Sequence, residues 1–210
     1  MSEPSAWASA RASREGKENP TASVLLGHAA EIFARKGYAG TTIEDITRRA
    51  GLSRAVFYLY FSSKQDVFSS VAAQVLHEFL AAHDLPESVN ADPVLLGREA
   101  SRAFLGAYTR HLDLLTVIEH QALADPAIEA IWREIQERPR RRMVRYVRRL
   151  MAEGDADPAA EPDLIAEAVL GMFERFARHR ITDPDRLNET AETLNAMYLR
   201  LLGIERKVRG

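Results

Sequence analysis

Three of the four Asp-Pro pairs in this chain open helical patterns: Asp92-Pro93, Asp125-Pro126 and Asp183-Pro184. Each stands directly before a run with apolar residues at three- and four-residue spacing. An Asp side chain accepts from the free N–H groups of a first helical turn. Pro at the first helical position lacks a donor that would have gone unpaired anyway. The same device used three times commits most of the chain to helices. The run after Asp92 puts Leu96, Ala100, Ala103, Phe104, Ala107 and Tyr108 on one face. A further short helix is expected through Leu115, Ile118 and Ala122. The helix opened by Asp125 contains Pro139, a residue that costs about 3 kcal/mol inside a helix, so a kink or break is expected near Arg138. Beyond it, Met143, Val147, Leu150 and Met151 form a stripe opposite Arg141, Arg145, Arg148 and Arg149. That arginine run reads as a solvated helix face rather than a second nucleic-acid patch. A helix from about Asp163 to Arg180 groups Leu164, Ile165, Ala168, Val169, Met172, Phe173 and Phe176. The last, after Asp183, groups Leu187, Leu194, Met197, Tyr198, Leu201 and Leu202. The segments DLPESVNADP and GDADPAAEPD are rich in turn formers and read as connections.

The N-terminal third uses other signals. Leu25, Ala29, Ile32 and Phe33 stripe a helix from about Thr21 to Lys36, which Gly37 ends. The stretch from Thr42 to Lys64, TIEDITRRAGLSRAVFYLYFSSK, then reads as two short helices and the start of a third. Thr42 is a candidate N-cap, with Asp45 in the position of a capping box. Gly51 permits a tight turn, Ser53 can cap Arg54 to Tyr60, and Ser62 or Ser63 can cap the next helix. Two short helices joined by a Gly-containing turn make a helix-turn-helix, whose second helix enters the DNA major groove. Arg54, Tyr58 and Tyr60 can point outward from that second helix, while Val56 or Phe57 packs inward. Arg suits a guanine edge. Thr42, Tyr58, Tyr60 and Lys64 suit phosphate oxygens. The following helix, from about Ser63 to His83, carries Val67, Phe68, Val71, Val75, Leu76 and Phe79. At about 1.5 Å per residue it is long enough to leave the DNA-binding region and serve as a lever. The expected fold is all-α, about nine helices with no sheet.

Charge agrees once it is divided. The net charge is −2, but residues 20–64 hold six Lys and Arg against three acids. The body after them is acidic. A basic reader on an acidic body steers toward phosphates. There are no cysteines, which excludes disulfides and thiolate metal sites. No apolar run reaches the ~20 residues that span a bilayer, and the N-terminus lacks a signal-peptide core. A cytoplasmic protein without membrane, metal or cofactor is expected. His28, His77, His83, His111, His120 and His179 form no metal-ligand pair, and no nucleophile elbow, phosphate loop or dinucleotide fingerprint is present, so catalysis is not expected. Residues 1–20 read as a disordered tail. Arg11, Arg14 and Lys17 offer the competing reading of an arm in the minor groove.

The run GLSRAVFYLYFSSKQDVF resembles the core signature of TetR-type transcriptional repressors: a glycine, an aliphatic residue, a serine, Tyr-x-[Tyr/His]-Phe, then a lysine three residues on. ARKGYAGTTIEDITRRA resembles the segment that precedes it in that family. The match covers roughly residues 21 to 70. Two positions depart from it: Val56 stands where the family usually has Thr or Ser, and Thr47 where it usually has Ala. The resemblance implies a DNA-binding domain over 21–66 and a helical ligand-binding and dimerisation domain over 67–210. It extends the DNA-contact set to Ser53, Ala55 and Val56. It implies a homodimer on a palindromic double-stranded operator, paired through the last two helices, with Val169, Leu194, Met197, Tyr198 and Leu201 as candidates. It also implies a pocket for a small apolar or weakly polar effector, with Phe104, Tyr108, Trp132, Met143, Phe173 and Phe176 as candidate lining. An activator, or a helical adaptor that binds protein and not DNA, remain alternatives.

Overall fold

The computed structural model describes residues 19–81, 92–181 and 183–204. Eight helices and no strand occur among them: α1 Pro20–Lys36, α2 Ile43–Ala50, α3 Arg54–Tyr60, α4 Lys64–Ala81, α5 Pro93–Ala122, α6 Pro126–Glu153, α7 Pro162–His179 and α8 Pro184–Leu201. The N-terminal tail with Arg11, Arg14 and Lys17, His83, and most of the connection before Asp92 lie outside the described residues.

The Asp-Pro starts operate as the residue chemistry dictates. Asp92 Oδ1 accepts from Val94 N at 2.8 Å, Asp125 Oδ1 from Ala127 N at 2.9 Å, and Asp183 Oδ1 from Arg186 N at 2.9 Å. Helix α1 begins the same way, but with Asn19: its side chain accepts from Thr21 N, and Pro20 occupies the first turn.

Two expectations for the middle of the chain are corrected. The separate helix through Leu115 and Ile118 is the second half of α5, one helix of 30 residues. Leu105, Tyr108, His111, Leu115 and Ile118 are all buried. Their spacing of three or four continues without a step, and no Pro or Gly lies between Tyr108 and Ile118, so nothing stops the helix there. Helix α6 likewise does not end near Arg138 but runs 28 residues with Pro139 inside it. Pro139 removes one backbone bond, to the carbonyl of Ile135. Both flanks are held regardless. Ile135, Val144, Val147 and Leu150 are buried. Two ion pairs straddle the proline, Arg140 to Glu137 at 2.8 Å and Arg141 to Glu134 at 3.3 Å, and Arg138 pairs with Glu134 at 2.6 Å just before it. Each exposed pair is worth less than about 1 kcal/mol, so the buried stripe carries most of the compensation.

Packing divides the chain into two compact units. One comprises residues up to Val75 together with Asp113–Trp132; the other comprises Leu76–Leu112 and Arg133 onward. The first unit is built on an aromatic cluster. Phe33 meets Phe68 edge-on at 4.9 Å between ring centres, and Tyr38 meets Phe68 at 5.0 Å. Leu25, Ile32, Ile46 and Phe57 fill the rest of its core. Gln65 Nε2 donates to Asp125 Oδ2 at 2.6 Å, which ties the start of α4 to the cap of α6. The second unit has its own aromatic centre, Phe79, Phe104 and Phe173, with centre distances of 5.5 and 5.7 Å. Leu105, Val147, Leu150, Ile165, Leu194 and Leu202 surround it.

Candidate functional site

In the first unit, α2 and α3 are joined by a turn that Gly51 makes possible. Its φ of 67° is in the left-handed region, where a side chain is strained. The Gly51 and Leu52 N–H groups donate to Arg48 O and Thr47 O, closing the last turn of α2. At its other end α2 carries a full capping box: Thr42 Oγ1 accepts from Asp45 N at 3.1 Å, and Asp45 Oδ2 accepts from Thr42 N at 3.1 Å. Lys36 Nζ at 2.9 Å and Arg48 at 2.8 Å both reach the other oxygen of Asp45. The Lys36 hydrogen bond, followed by that of Thr42, holds the Asp45 carboxyl at about 2, below its ordinary 3.8. The box is therefore ionised throughout the neutral range.

Helix α3 starts at Ser53, whose Oγ accepts from Val56 N at 3.2 Å. Phe57 is fully buried and anchors the helix, while Val56 is half-buried. Thr42, Ser53, Arg54 and Ala55 are exposed, Tyr58 is 50% exposed, and Tyr60 is half-buried. Between the two tyrosines, Leu59 is 77% exposed. Sequence reasoning missed it. The signal available was helical geometry: two positions after Phe57, which must be inside, a side chain lies on roughly the opposite side of the helix. Thr47, at the crossing where an Ala was expected, is buried with its hydroxyl satisfied by Glu44 O at 3.2 Å.

Lys64 does not project with Arg54 and Tyr58. Its ammonium is half-buried and donates to Tyr38 O at 2.9 Å and Thr41 O at 3.0 Å, with the Tyr38 ring 4.4 Å away. Two of the three ammonium protons thus hold the loop between α1 and α2 against the start of α4. Beside it Asp66 accepts from Ser62 N and from Ser62 Oγ, and Ser63 Oγ accepts from Asp66 N. Arg48 and Arg49 are exposed on α2, and Arg49 pairs with Glu31 at 3.2 Å.

The second unit contains an apolar cavity of about 150 Å³ whose walls come from α5, α6, α7 and α8. Of the six pocket candidates, Phe104, Met143 and Phe173 line it. Tyr108 lines a more polar cleft of about 430 Å³ that also takes in Phe104, Glu137, Arg140, Glu167 and Glu174. Trp132 belongs to the first unit, and neither cavity takes in Trp132 or Phe176. Gly97 forms part of the wall because Asn195 lies against it: a side chain at that position would meet Asn195 Oδ1 at 2.5 Å. Tyr146 and Ser101 bring hydroxyls to the lining, and the Ser101 proton is given to Gly97 O at 2.7 Å. Burial, above all, pushes the Tyr146 phenol up to about 12.

Of the five candidates for pairing, Val169, Leu194 and Tyr198 are buried inside the chain, and Val169 and Tyr198 face the apolar cavity. Their apolar character is spent on the chain's own core. Met197 is 42% exposed and Leu201 half-buried. The exposed stripe of α7 instead runs through Leu164, Ala168, Gly171 and Arg175, and that of α8 through Thr193, Ala196, Met197 and Arg200. Among the described residues no cluster of His, Cys, Asp or Glu has the makings of a metal site, and no helix is long and apolar enough to cross a membrane.

Residues 25–71 match the family model for bacterial regulatory proteins of the TetR family. The HTH-type transcriptional repressor NicS of Pseudomonas putida is 28% identical over 110 residues, 52% of each chain. The HTH-type transcriptional regulator EthR of Mycolicibacterium smegmatis is 26% identical over 125 residues, 59% of this chain and 56% of the relative. These alignments span about half the length of the curated relatives. A TetR-family regulatory protein from Rhodococcus superimposes with a TM-score of 0.73 at 20% identity, over 89% of this chain and 99% of the other. That likeness establishes the fold. The capped α2–Gly51–α3 unit thus lies within a region that matches the TetR family model, and the fold of the described residues is like that of solved TetR-family regulators.

Proposed function

We propose that this protein is a DNA-binding transcriptional repressor, active in the cytoplasm as a homodimer, and released from a palindromic operator by a small, largely apolar effector. The observation that carries the reading is the outer face of α3. Arg54, Tyr58 and Leu59 are exposed there, on a helix fixed from behind by the fully buried Phe57. Arg54 supplies a two-donor contact to guanine, and Leu59 an apolar contact to a thymine methyl. Tyr58, Tyr60, Ser53, Thr42 and the backbone around Ala55 and Val56 hold the phosphates that set register. Lys64 acts first as a strut for that surface, with one proton left for a phosphate.

One such helix reads only a few base pairs, so two copies are needed for useful affinity. The exposed stripes of α7 and α8 support pairing there. Ala168, Gly171 and Ala196 allow close approach, and Leu164 and Met197 supply apolar area. Effector binding in the apolar cavity lowers operator affinity by favouring a conformation in which the two reading helices no longer match one helical turn of DNA. Such couplings are typically about 1–3 kcal/mol. A repressor is favoured over an activator because NicS, which aligns with half of the chain, is itself a repressor. An electrophoretic shift assay on genomic fragments selected by the protein tests the reading. A discrete dimer-sized complex on a pseudo-palindrome is expected. Binding of duplexes without preference, or of none, would refute it.

A further inference from the structure

The effector reading leaves open what the cavity recognises beyond apolar bulk, and one side chain answers that. The Tyr146 hydroxyl is buried and makes no hydrogen bond with another described group of the protein. Tyr146 is a wall of the apolar cavity. Folded proteins rarely leave such a hydroxyl without a partner, and the exceptions tend to be functional. The Ser101 hydroxyl of the same wall has already given its proton to Gly97 O, so Tyr146 is a lining donor whose proton is uncommitted. The charges felt by its hydroxyl are one cation, Arg149, and three carboxylates, Asp92, Glu153 and Asp155. With burial they keep the phenol protonated, hence a donor, and they repel a second anion brought beside it. Arg142 adds a charge to the lining, at an exposed position. A cavity of about 150 Å³ is the size that accepts one aromatic ring.

We propose that this cavity takes a molecule of about one ring in size bearing an uncharged oxygen acceptor, a ketone or ester, and that the Tyr146 hydroxyl donates to that oxygen. The proposal rests on the effector reading of the same cavity and goes beyond it by naming the chemistry that selects the ligand. It is tested by calorimetric titration of the full chain with acetophenone, ethylbenzene and benzoate, three probes of nearly equal size. The same titrations are run on Tyr146→Phe, which removes only the hydroxyl, and on Met143→Trp and Leu170→Phe, which fill the cavity. Circular dichroism confirms that each variant is folded.

Acetophenone is expected to bind the wild type most tightly. Tyr146→Phe should weaken it by about three- to tenfold, the worth of one neutral hydrogen bond, and leave ethylbenzene unchanged. The filled variants should weaken both. Benzoate binding tighter than acetophenone, or acetophenone indifferent to Tyr146→Phe while the filled variants still block it, would overturn the inference and leave the effector cavity standing. Binding unaffected by either filled variant, or no binding of any probe to the wild type at millimolar concentration, would overturn the effector reading and this inference with it.

Discussion

At Asp45 and Lys64 the same few side chains both build the proposed reading surface and sit beside it. Asp45 closes the capping box of α2 and collects Lys36 and Arg48. Its carboxyl titrates at about 2 in the folded protein against an ordinary 3.8, so the unfolded chain binds its proton more readily. The stability it lends is full above pH ~4 and is lost as pH falls toward 2. Denaturant titrations at pH 6, 4 and 2.5 should show wild type losing more stability across that range than Asp45→Asn. Lys64 was legible as a family position but not as a strut, because sequence spacing does not reveal that its ammonium meets the carbonyls of Tyr38 and Thr41. Lys64→Ala should therefore destabilise the first unit without any DNA present, by about 1.5–3 kcal/mol for hydrogen bonds to a charged donor. A variant that loses only DNA affinity at unchanged stability would contradict that role. Leu59→Ala should leave stability unchanged and lower discrimination at a single T·A pair by roughly 1–3 kcal/mol, read by competition with single-pair operator variants.

The helices were legible wherever a cap or a turn glycine announced itself. Asp-Pro pairs, Thr42, Gly51 and Ser53 each act through one or two local hydrogen bonds, and local chemistry is what a sequence displays. The misreadings lie where a local signal loses to packing. A separate short helix was expected through Leu115 and Ile118, but the buried face through His111 runs on. Pro139 suggested an end to α6, but buried residues on both sides hold it. Pro139→Ala should then stabilise α6, because the missing bond to the Ile135 carbonyl is restored at a site already helical. The thermal midpoint should rise, with helical content unchanged, whereas a gain in helical content would mean α6 is broken at the proline in solution. Gly51 gives the opposite case. Gly51→Ala forces a side chain into the left-handed region and should cost about 1–2 kcal/mol, measured by chemical denaturation.

For the whole molecule, an apolar cavity is present, but which residues line it was not legible in the sequence. Periodicity identifies which residues leave water. It does not say whether they meet each other or a void. Val169 and Tyr198 illustrate this: their spacing suits a pairing surface equally well, yet they line the cavity. The proposed pairing face is carried by smaller exposed residues, Ala168, Gly171 and Ala196, which a search for large apolar side chains passes over. Leu164→Glu with Met197→Glu places charge on that face. In sedimentation, the wild type is expected as a dimer and the double variant as a folded monomer. A double variant that remains dimeric would place the interface elsewhere.

The central claim is that the outer face of α3 reads duplex DNA. It is tested most directly by fluorescence anisotropy of a duplex selected from genomic fragments against a scrambled duplex, with wild type and Arg54→Ala at two salt concentrations. The account predicts at least a ~10³-fold preference of the wild type for the selected duplex. It also predicts that Arg54→Ala gives up ten- to a hundredfold of that preference at both salts while remaining folded. Equal binding to the two duplexes, or an Arg54→Ala protein indistinguishable from wild type, would contradict it.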